Sequence, residues 1–463
     1  MSVRHAVQQD NPFLTAPIGR LFWSNAISMA MVMAMGGFFN VVDGIFVGRL
    51  IGPEALAAVS LDFPVAMLLS ALATLVGGGM SSIMARHLGA GDRAAAGRVF
   101  VGAHGLALAI SVGLVVLSSL LGGVFIDTLA GGSSTVARLA WDYLRIVLLG
   151  APVQLMLGLH ADALRNEGRA GLIAALSVVV NLINIGANWI GIVVLDLGVA
   201  GSAAGTVAAQ ALGLGLLIAV RGRNQSLLPL SVLRVESWLV GWGKIARLGL
   251  PLCLSFIGIA VAAGVVITSL RLHAGADHDK FVAAYGVVTR LMGFAFLPQM
   301  AIALTIQRIS GNNAGAGRLD RAQTALRLGL GAALLWCLGV VVVGVFATGT
   351  LAGCFSDDAS VARIVPQILQ PMMVLYAVSG PILVLALHLQ ALGQPGRTAA
   401  LTLAKPWLLT PGLVLTLSTI FGVRGIWLAF PVADAMVLVF ALVMWGGVLR
   451  GGYPQPITLK ERP

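Results

Sequence analysis

The chain has 463 residues, 58% of them hydrophobic and 10% charged, with a formal net charge of +11. Soluble domains carry about 25% charged residues, so the composition excludes an ordinary soluble enzyme or binding module. Its apolar runs are long enough to cross a bilayer as helices of about 20 residues. They are too long and too rich in Leu, Ala and Val for the short alternating strands of a membrane barrel.

Residues Met1–Arg20 contain Asp10 and Pro12 and no apolar core ahead of a cleavage site, so no cleaved signal peptide is expected. Twelve apolar runs follow, near residues 20–45, 56–82, 98–122, 138–160, 171–193, 199–220, 247–270, 282–305, 326–348, 365–389, 399–420 and 425–449. They predict an all-α polytopic membrane protein of twelve transmembrane helices in two pseudo-symmetric six-helix lobes. The predicted divisions are a tail at 1–16, a first lobe at 17–222, a basic linker at 223–246, a second lobe at 247–450 and a tail at 451–463.

Charge alternates between successive loops. Arg86, Arg93 and Arg98 fall on one side, with Arg165, Arg169, Arg221, Arg223, Arg234, Lys244, Arg308, Arg318, Arg321 and Arg397. The other side holds Arg49, Arg138, Arg271, Lys280, Arg363 and Arg424, mixed with acids such as Glu54, Asp127, Asp196 and Asp277. The positive-inside rule then places both termini in the cytoplasm and the stretch from 221 to 247 along the inner membrane surface. Scattered in this way, the basic residues suggest no nucleic-acid partner. Cys253, Cys337 and Cys354 form no paired motif, so neither a disulfide, a metal site nor a cofactor is expected.

The two halves resemble each other. Gly89-Ala90-Gly91 lines up with Gly315-Ala316-Gly317, and Glu167-Gly168-Arg169 with Pro395-Gly396-Arg397. Gly198-Val199-Ala200-Gly201 matches Gly422-Val423-Arg424-Gly425, and Pro152 matches Pro381. Six spans per repeat return the chain to its starting side, the plan of parallel-repeat secondary transporters.

Asn40-Val41-Val42-Asp43-Gly44-Ile45-Phe46-Val47-Gly48-Arg49, followed by Gly52-Pro53 and Ala57-Ala58-Val59-Ser60, resembles the multidrug and toxic compound extrusion (MATE) family. Ala283-Ala284-Tyr285-Gly286, Gln307 to Ala316, and Gly425-Ile426-Trp427 to Asp434 fit the same family, most like its bacterial DinF-related multidrug-efflux subgroup. The resemblance covers roughly residues 17–450. It implies twelve helices in two lobes and drug export driven by protons or sodium across the bacterial inner membrane.

An ionisable group inside a span is costly in hydrocarbon and is therefore a functional candidate. Asp43 stands about one turn from the outer end of the first run. It reads either as a coupling carboxylate or as a helix-end acid paired with Arg49. Asn184 and Asn188 lie four residues apart, on one helix face, as cation-site partners for Asp43 or as ties between helices. The family often carries Asp at the second of these positions, so Asn188 argues against a two-carboxylate site. The family's proline ahead of the acid in helix one is absent from Ser24 to Ser28, although Gly36-Gly37 supplies flexibility. In helix seven Pro251 is retained, but Phe256 to Ile259 hold no acid, which argues against a sodium site there.

Arg290, Lys405 and Asp434 are expected to include a buried ion pair, Lys405 or Arg290 with Asp434, either structural or part of a switch. Asp142, Asp162 and His160 are expected at helix ends. Asp62, followed by Pro64, is the strongest of the end acids. Met29, Met31, Met33 and Met35 are expected against lipid, whereas Met292 and Met300 would give a cavity a soft wall.

The reading that follows is a monomeric secondary antiporter, not an enzyme. It would export small-molecule drugs or organic cations in exchange for protons, with sodium as the other possible ion, by alternating access. A lipid-linked-precursor flippase would prefer a strongly cationic cavity. A membrane enzyme would need a clustered catalytic set, which scattered His5, His87, His104, His160, His273, His278 and His388 do not supply.

Overall fold

The computed structural model describes residues 11–129, 133–355 and 358–450, and no strand occurs among them. Among the described residues eleven helices are long and apolar enough to cross a membrane, and a bent pair supplies a twelfth span. We number them α1 (Ile18–Ile51), α2 (Pro53–Gly89), α3 (Arg93–Thr128), α4 (Ser134–Asn166), α5 (Ala170–Val194) and α6 (Gly198–Arg223). The second set is α7 (Trp242–His273), α8 (Gly275–Gly315), α9 (Leu319–Phe346), α10 (Ala359–Met373 with Tyr376–Ala391), α11 (Pro395–Phe421) and α12 (Val423–Gly446).

Side chains such as Leu120 (73% exposed) and Leu335 (72%) stand on the helix surfaces, where lipid takes the place of a protein core. The compact cores lie inside each half. In the first, Val76, Met80, Ile83, Met84, Phe100, Leu155 and Leu159 pack with Ile245 and Leu248. In the second, Val266, Leu270, Tyr285, Val288, Val365, Ile368 and Trp427 pack together. Two compact units result. Of the described residues, one holds 11–15 and Ile27–Leu250, the other Ala16–Ala26 and those from 251 to 450.

The repeat is written in the turns. Gly91 and Gly317 adopt φ values of +76° and +74°, and Gly198 and Gly422 adopt +55° and +58°, so two of the aligned pairs end their helices in the same way. The third pair needs a correction. The left-handed partner of Gly168 (φ +85°) is Gly393 (φ +76°), not Gly396, which lies in the first turn of α11. Sequence identity at the Gly-Arg pair drew the alignment to the wrong glycine. In the corrected register Pro152 falls opposite the break in α10 rather than opposite Pro381.

That break is the main departure from straight predicted spans. The two pieces of α10 meet at 55°, with a 3-10 turn at Tyr376–Val378. Pro366, Pro371 and Pro381 remove three backbone donors from this stretch, which weakens the helical ladder around the bend. A second departure is at α1, where the helical backbone continues past residue 45 through a π turn at Val47–Ile51.

The stretch between α6 and α7 is packed rather than loose. A Cβ on Gly102 would lie 2.0 Å from the Val240 carbonyl oxygen, and one on Gly105 would lie 1.9 Å from that of Trp238. Arg221, counted above among the loop cations, is fully buried. It donates to Glu167 Oε1 (2.9 Å), Ser226 Oγ (2.8 Å) and the Leu228 carbonyl (2.9 Å). Arg308 is buried as well.

Candidate functional site

Three helices of the first unit converge on Asp43. Asn188 Nδ2 on α5 donates to Asp43 Oδ1 at 2.7 Å, and Ser202 Oγ on α6 donates to the same oxygen at 2.9 Å. The close approach comes from glycines. Cβ atoms on Gly191 or Gly201 would meet the opposing backbone at about 2.5 Å, and one on Gly205 would sit 2.3 Å from Asn188 Oδ1. With no side chains in the way, α5 and α6 touch backbone to backbone, as small-residue interfaces do in membranes. Both flanking helices carry π turns, at Val47–Ile51 after Asp43 and at Ile190–Val194 after Asn188, a distortion that recurs at functional sites.

Because α1 extends to Ile51, Asp43 lies about two turns inside the helix rather than one turn from its end. Among the described residues it makes no ion pair with Arg49, which is exposed. Toward that end an apolar cluster of Val47, Ala55, Tyr143, Val199 and Ala203 closes over the site. Asp62 stands where the two pieces of α2 meet. Its Oδ1 is buried without a hydrogen-bond partner among the described residues.

Asn184 is not part of this group. It donates to Thr206 Oγ1 at 3.0 Å and ties α5 to α6 one turn away. Ser202 was missed in the sequence because a lone serine in an apolar run is unremarkable. The available signal was its place between Gly201 and Gly205, four residues apart and thus on the face nearest α5.

In the second unit Lys405 Nζ pairs with Asp434 Oδ1. Arg290, the other candidate partner, is exposed and takes no part in an ion pair among the described residues. Met292 lines an apolar groove of about 410 Å³ with Leu291, Ala295, Trp336 and Leu369, while Met300 is buried outside that lining. Of the end-of-helix candidates, Asp142 pairs with Arg145 (2.9 Å) and Asp162 with Arg165 (3.0 Å). His160 is not interfacial but 3% exposed, packed edge-on against His104 and Phe100. Met29 is likewise buried rather than lipid-facing, whereas Met31 is 45% exposed. Among the described residues no group of three His, Cys, Asp or Glu side chains is placed to hold a metal.

This chemistry suits a carboxylate that gains and loses one proton. As an anion Asp43 accepts from two neutral donors. As an acid it donates to Ser202 Oγ, or to the Asn188 amide oxygen after that side chain turns over. Asn188 Oδ1 is the free end of the arrangement, buried and without a partner.

The MatE family model matches residues 27–190 and again 251–411, once in each half. The FAD transporter of Shewanella oneidensis is 30% identical over 435 residues, covering 92% of this chain and 93% of that protein. The multidrug export protein MepA of Staphylococcus aureus is 24% identical over 426 residues, covering 90% and 91%. Among solved structures, an outward-facing multidrug resistance MATE family transporter of the MOP superfamily superposes with a TM-score of 0.86 at 24% identity, covering 95% of this chain and 97% of that one. A MOP superfamily transporter from Pyrococcus furiosus gives 0.85 at 23% identity with the same coverage. At these identities the likeness to the solved structures is one of fold.

Proposed function

Given that this chain belongs to the MatE family of membrane transporters, we propose that it exports small organic molecules across the bacterial inner membrane in exchange for protons, with Asp43 as the coupling group. The observation that carries this reading is a membrane-embedded carboxylate held by two neutral donors and, among the described residues, by no cation. A fixed counter-ion would hold Asp43 ionised through the cycle. Asn188 and Ser202 satisfy either protonation state, so occupancy follows whichever side of the membrane the site faces. Asn188 in place of a second acid leaves this triad one titrating charge. Sodium would need several oxygen ligands. Here the carboxylate meets an N–H and an O–H, so proton coupling requires the smaller rearrangement.

The loop charges support cytoplasmic termini. The MepA likeness supports a broad range of organic substrates, and the longer, 30% likeness to a FAD transporter supports a flavin dinucleotide as a second reading of the cargo.

The test is substrate-driven discharge of a pH gradient, and separately of a sodium gradient, in inverted vesicles carrying the wild type or Asp43→Asn. A proton response that disappears in the variant is the expected result. A response to sodium alone, or full activity in the variant, removes Asp43 from the coupling role.

A further inference from the structure

The pair formed by Lys405 and Asp434 is a second polar centre, in the second unit. Lys405 lies ten residues from the start of α11 and Asp434 eleven from the start of α12, which enter from opposite sides. At 1.5 Å per residue each is about 15 Å from its own end, which is the midplane of a hydrocarbon core about 30 Å thick. Charge at that depth is the most expensive kind and marks a substrate or ion path by default.

Three irregular elements meet there. Lys405 sits in a π turn, Ala404–Leu409. Asp434 follows Pro431 inside α12. The 3-10 turn Tyr376–Val378, at the break in α10, packs against α12. Non-helical backbone at membrane depth survives only where it is buried in protein or lines a polar cavity, and interrupted helices mark transporter binding sites. The Tyr376 hydroxyl is buried with no hydrogen-bond partner among the described residues. Exposure is unequal across the pair: the Asp434 side chain is 4% exposed and that of Lys405 is 32% exposed. The acid is held inside the protein, while the lysine side chain is partly exposed.

The repeat sharpens the contrast. In the register set by Gly198 and Gly422, Lys405 stands opposite Asn181 and Asp434 opposite Gln210. The first unit thus has neutral amides where the second has an ion pair. Away from the helix ends the described residues of the second unit include Arg290, Lys405 and a single acid, Asp434, an excess of positive charge suited to an anion.

We propose that Lys405, positioned by Asp434, binds a phosphate or carboxylate group of the exported molecule, so that the substrate class includes organic anions. The arriving anion takes over the ammonium from Asp434. This deepens the antiporter reading and rests on it.

The test is equilibrium binding to the purified full-length protein in nanodiscs, with FAD followed by its fluorescence and with ADP and inorganic pyrophosphate as competitors. Lys405→Met alone strands a buried acid and risks misfolding, so the double variant Lys405→Met/Asp434→Asn is measured beside it. Affinity for FAD is expected to fall at least tenfold in the double variant. It should rise several-fold in Asp434→Asn, where Lys405 has no competing acid. Arg397→Gln, which removes an equal charge at the end of α11, should leave it unchanged. Pyrophosphate should displace FAD from the wild type.

Unchanged FAD affinity in the double variant overturns the proposal. So does an Asp434→Asn loss as large as that of the double variant, the signature of a purely structural pair. So too does a wild type that binds none of the three anions. Phosphatidylglycerol that co-purifies with the wild type but not the double variant, with FAD affinity unchanged, assigns the site to a lipid headgroup instead. If vesicle export is not proton-coupled, the antiporter reading fails on that measurement. If export is proton-coupled and the binding data fail, only the anion site falls.

Discussion

Asn188 reaches Asp43 past Gly205, where there is no side chain to displace it. A methyl there would lie 2.3 Å from the Asn188 amide oxygen and 2.7 Å from its backbone nitrogen, closer than real contacts allow. Gly205→Ala is therefore expected to cost about 1–3 kcal/mol, as overpacking does, and to push Asn188 off the carboxylate. Thermal unfolding of the solubilised protein should show the first effect, and loss of proton-coupled export the second. Gly215→Ala on the same helix meets nothing within 4 Å and should leave both unchanged. Equal behaviour of the two variants would mean that the contact between α5 and α6 does not position the site. Ser202→Ala makes a separate claim. It deletes one of two donors to a charged group, an interaction of about 1.5–3 kcal/mol, and should slow coupled export at least tenfold while Ser202→Thr retains it. Of this triad, Asp43 and Asn188 were legible in the sequence, because a carboxylate or an amide in an apolar run stands out. Ser202 was hidden by its small size, and Asn184 was over-read because sharing a helix face with Asn188 does not bring it to the same partner.

At the scale of elements, the twelve spans were legible because hydropathy reports directly on the solvent a helix sees. What escaped was backbone detail within them. The bend in α10 and the π turns depend on how neighbouring helices satisfy released carbonyls, which no local run of residues encodes. The turn register is the sharpest case, since Gly396 matched Gly168 by sequence neighbours while Gly393 matches it by backbone conformation. The two assignments separate experimentally. Gly393→Ala forces a side chain into the left-handed region and should destabilise by about 1–2 kcal/mol. Gly396→Ala, in the first helical turn with open space around it, should be neutral or stabilise by up to about 1 kcal/mol. Thermal unfolding midpoints of the two variants decide between them, and the reverse order would restore the sequence alignment.

At the scale of the whole molecule, the halves share a fold and divide the chemistry. The Asp43 triad has no counterpart in the second unit, where Pro411–Gly412 and Ile426 stand opposite Asn188 and Ser202. The chain passes from the first repeat to the second through residues 226–241, part of the stretch that the sequence marked as a basic link along the inner membrane surface. These residues belong to the first unit, clamped against α3 by its glycines, with His104 edge-on to Trp238 at 6.1 Å. The buried Arg221–Glu167 pair pins their start, and Glu167 Oε2 also accepts from the Leu227 amide at 3.0 Å. Breaking such a pair from one side costs about 3–5 kcal/mol, because the surviving charge stays buried. Glu167→Gln should therefore release the segment and speed trypsin cleavage at exposed Arg234. Gly105→Val should do the same by driving a side chain into the Trp238 carbonyl, without touching any charge. Matching cleavage in both variants would identify the clamp as a packed strap. Acceleration in Glu167→Gln alone would reduce it to the ion pair, and resistance in both would show that the glycine contacts and the pair are each dispensable for holding the segment.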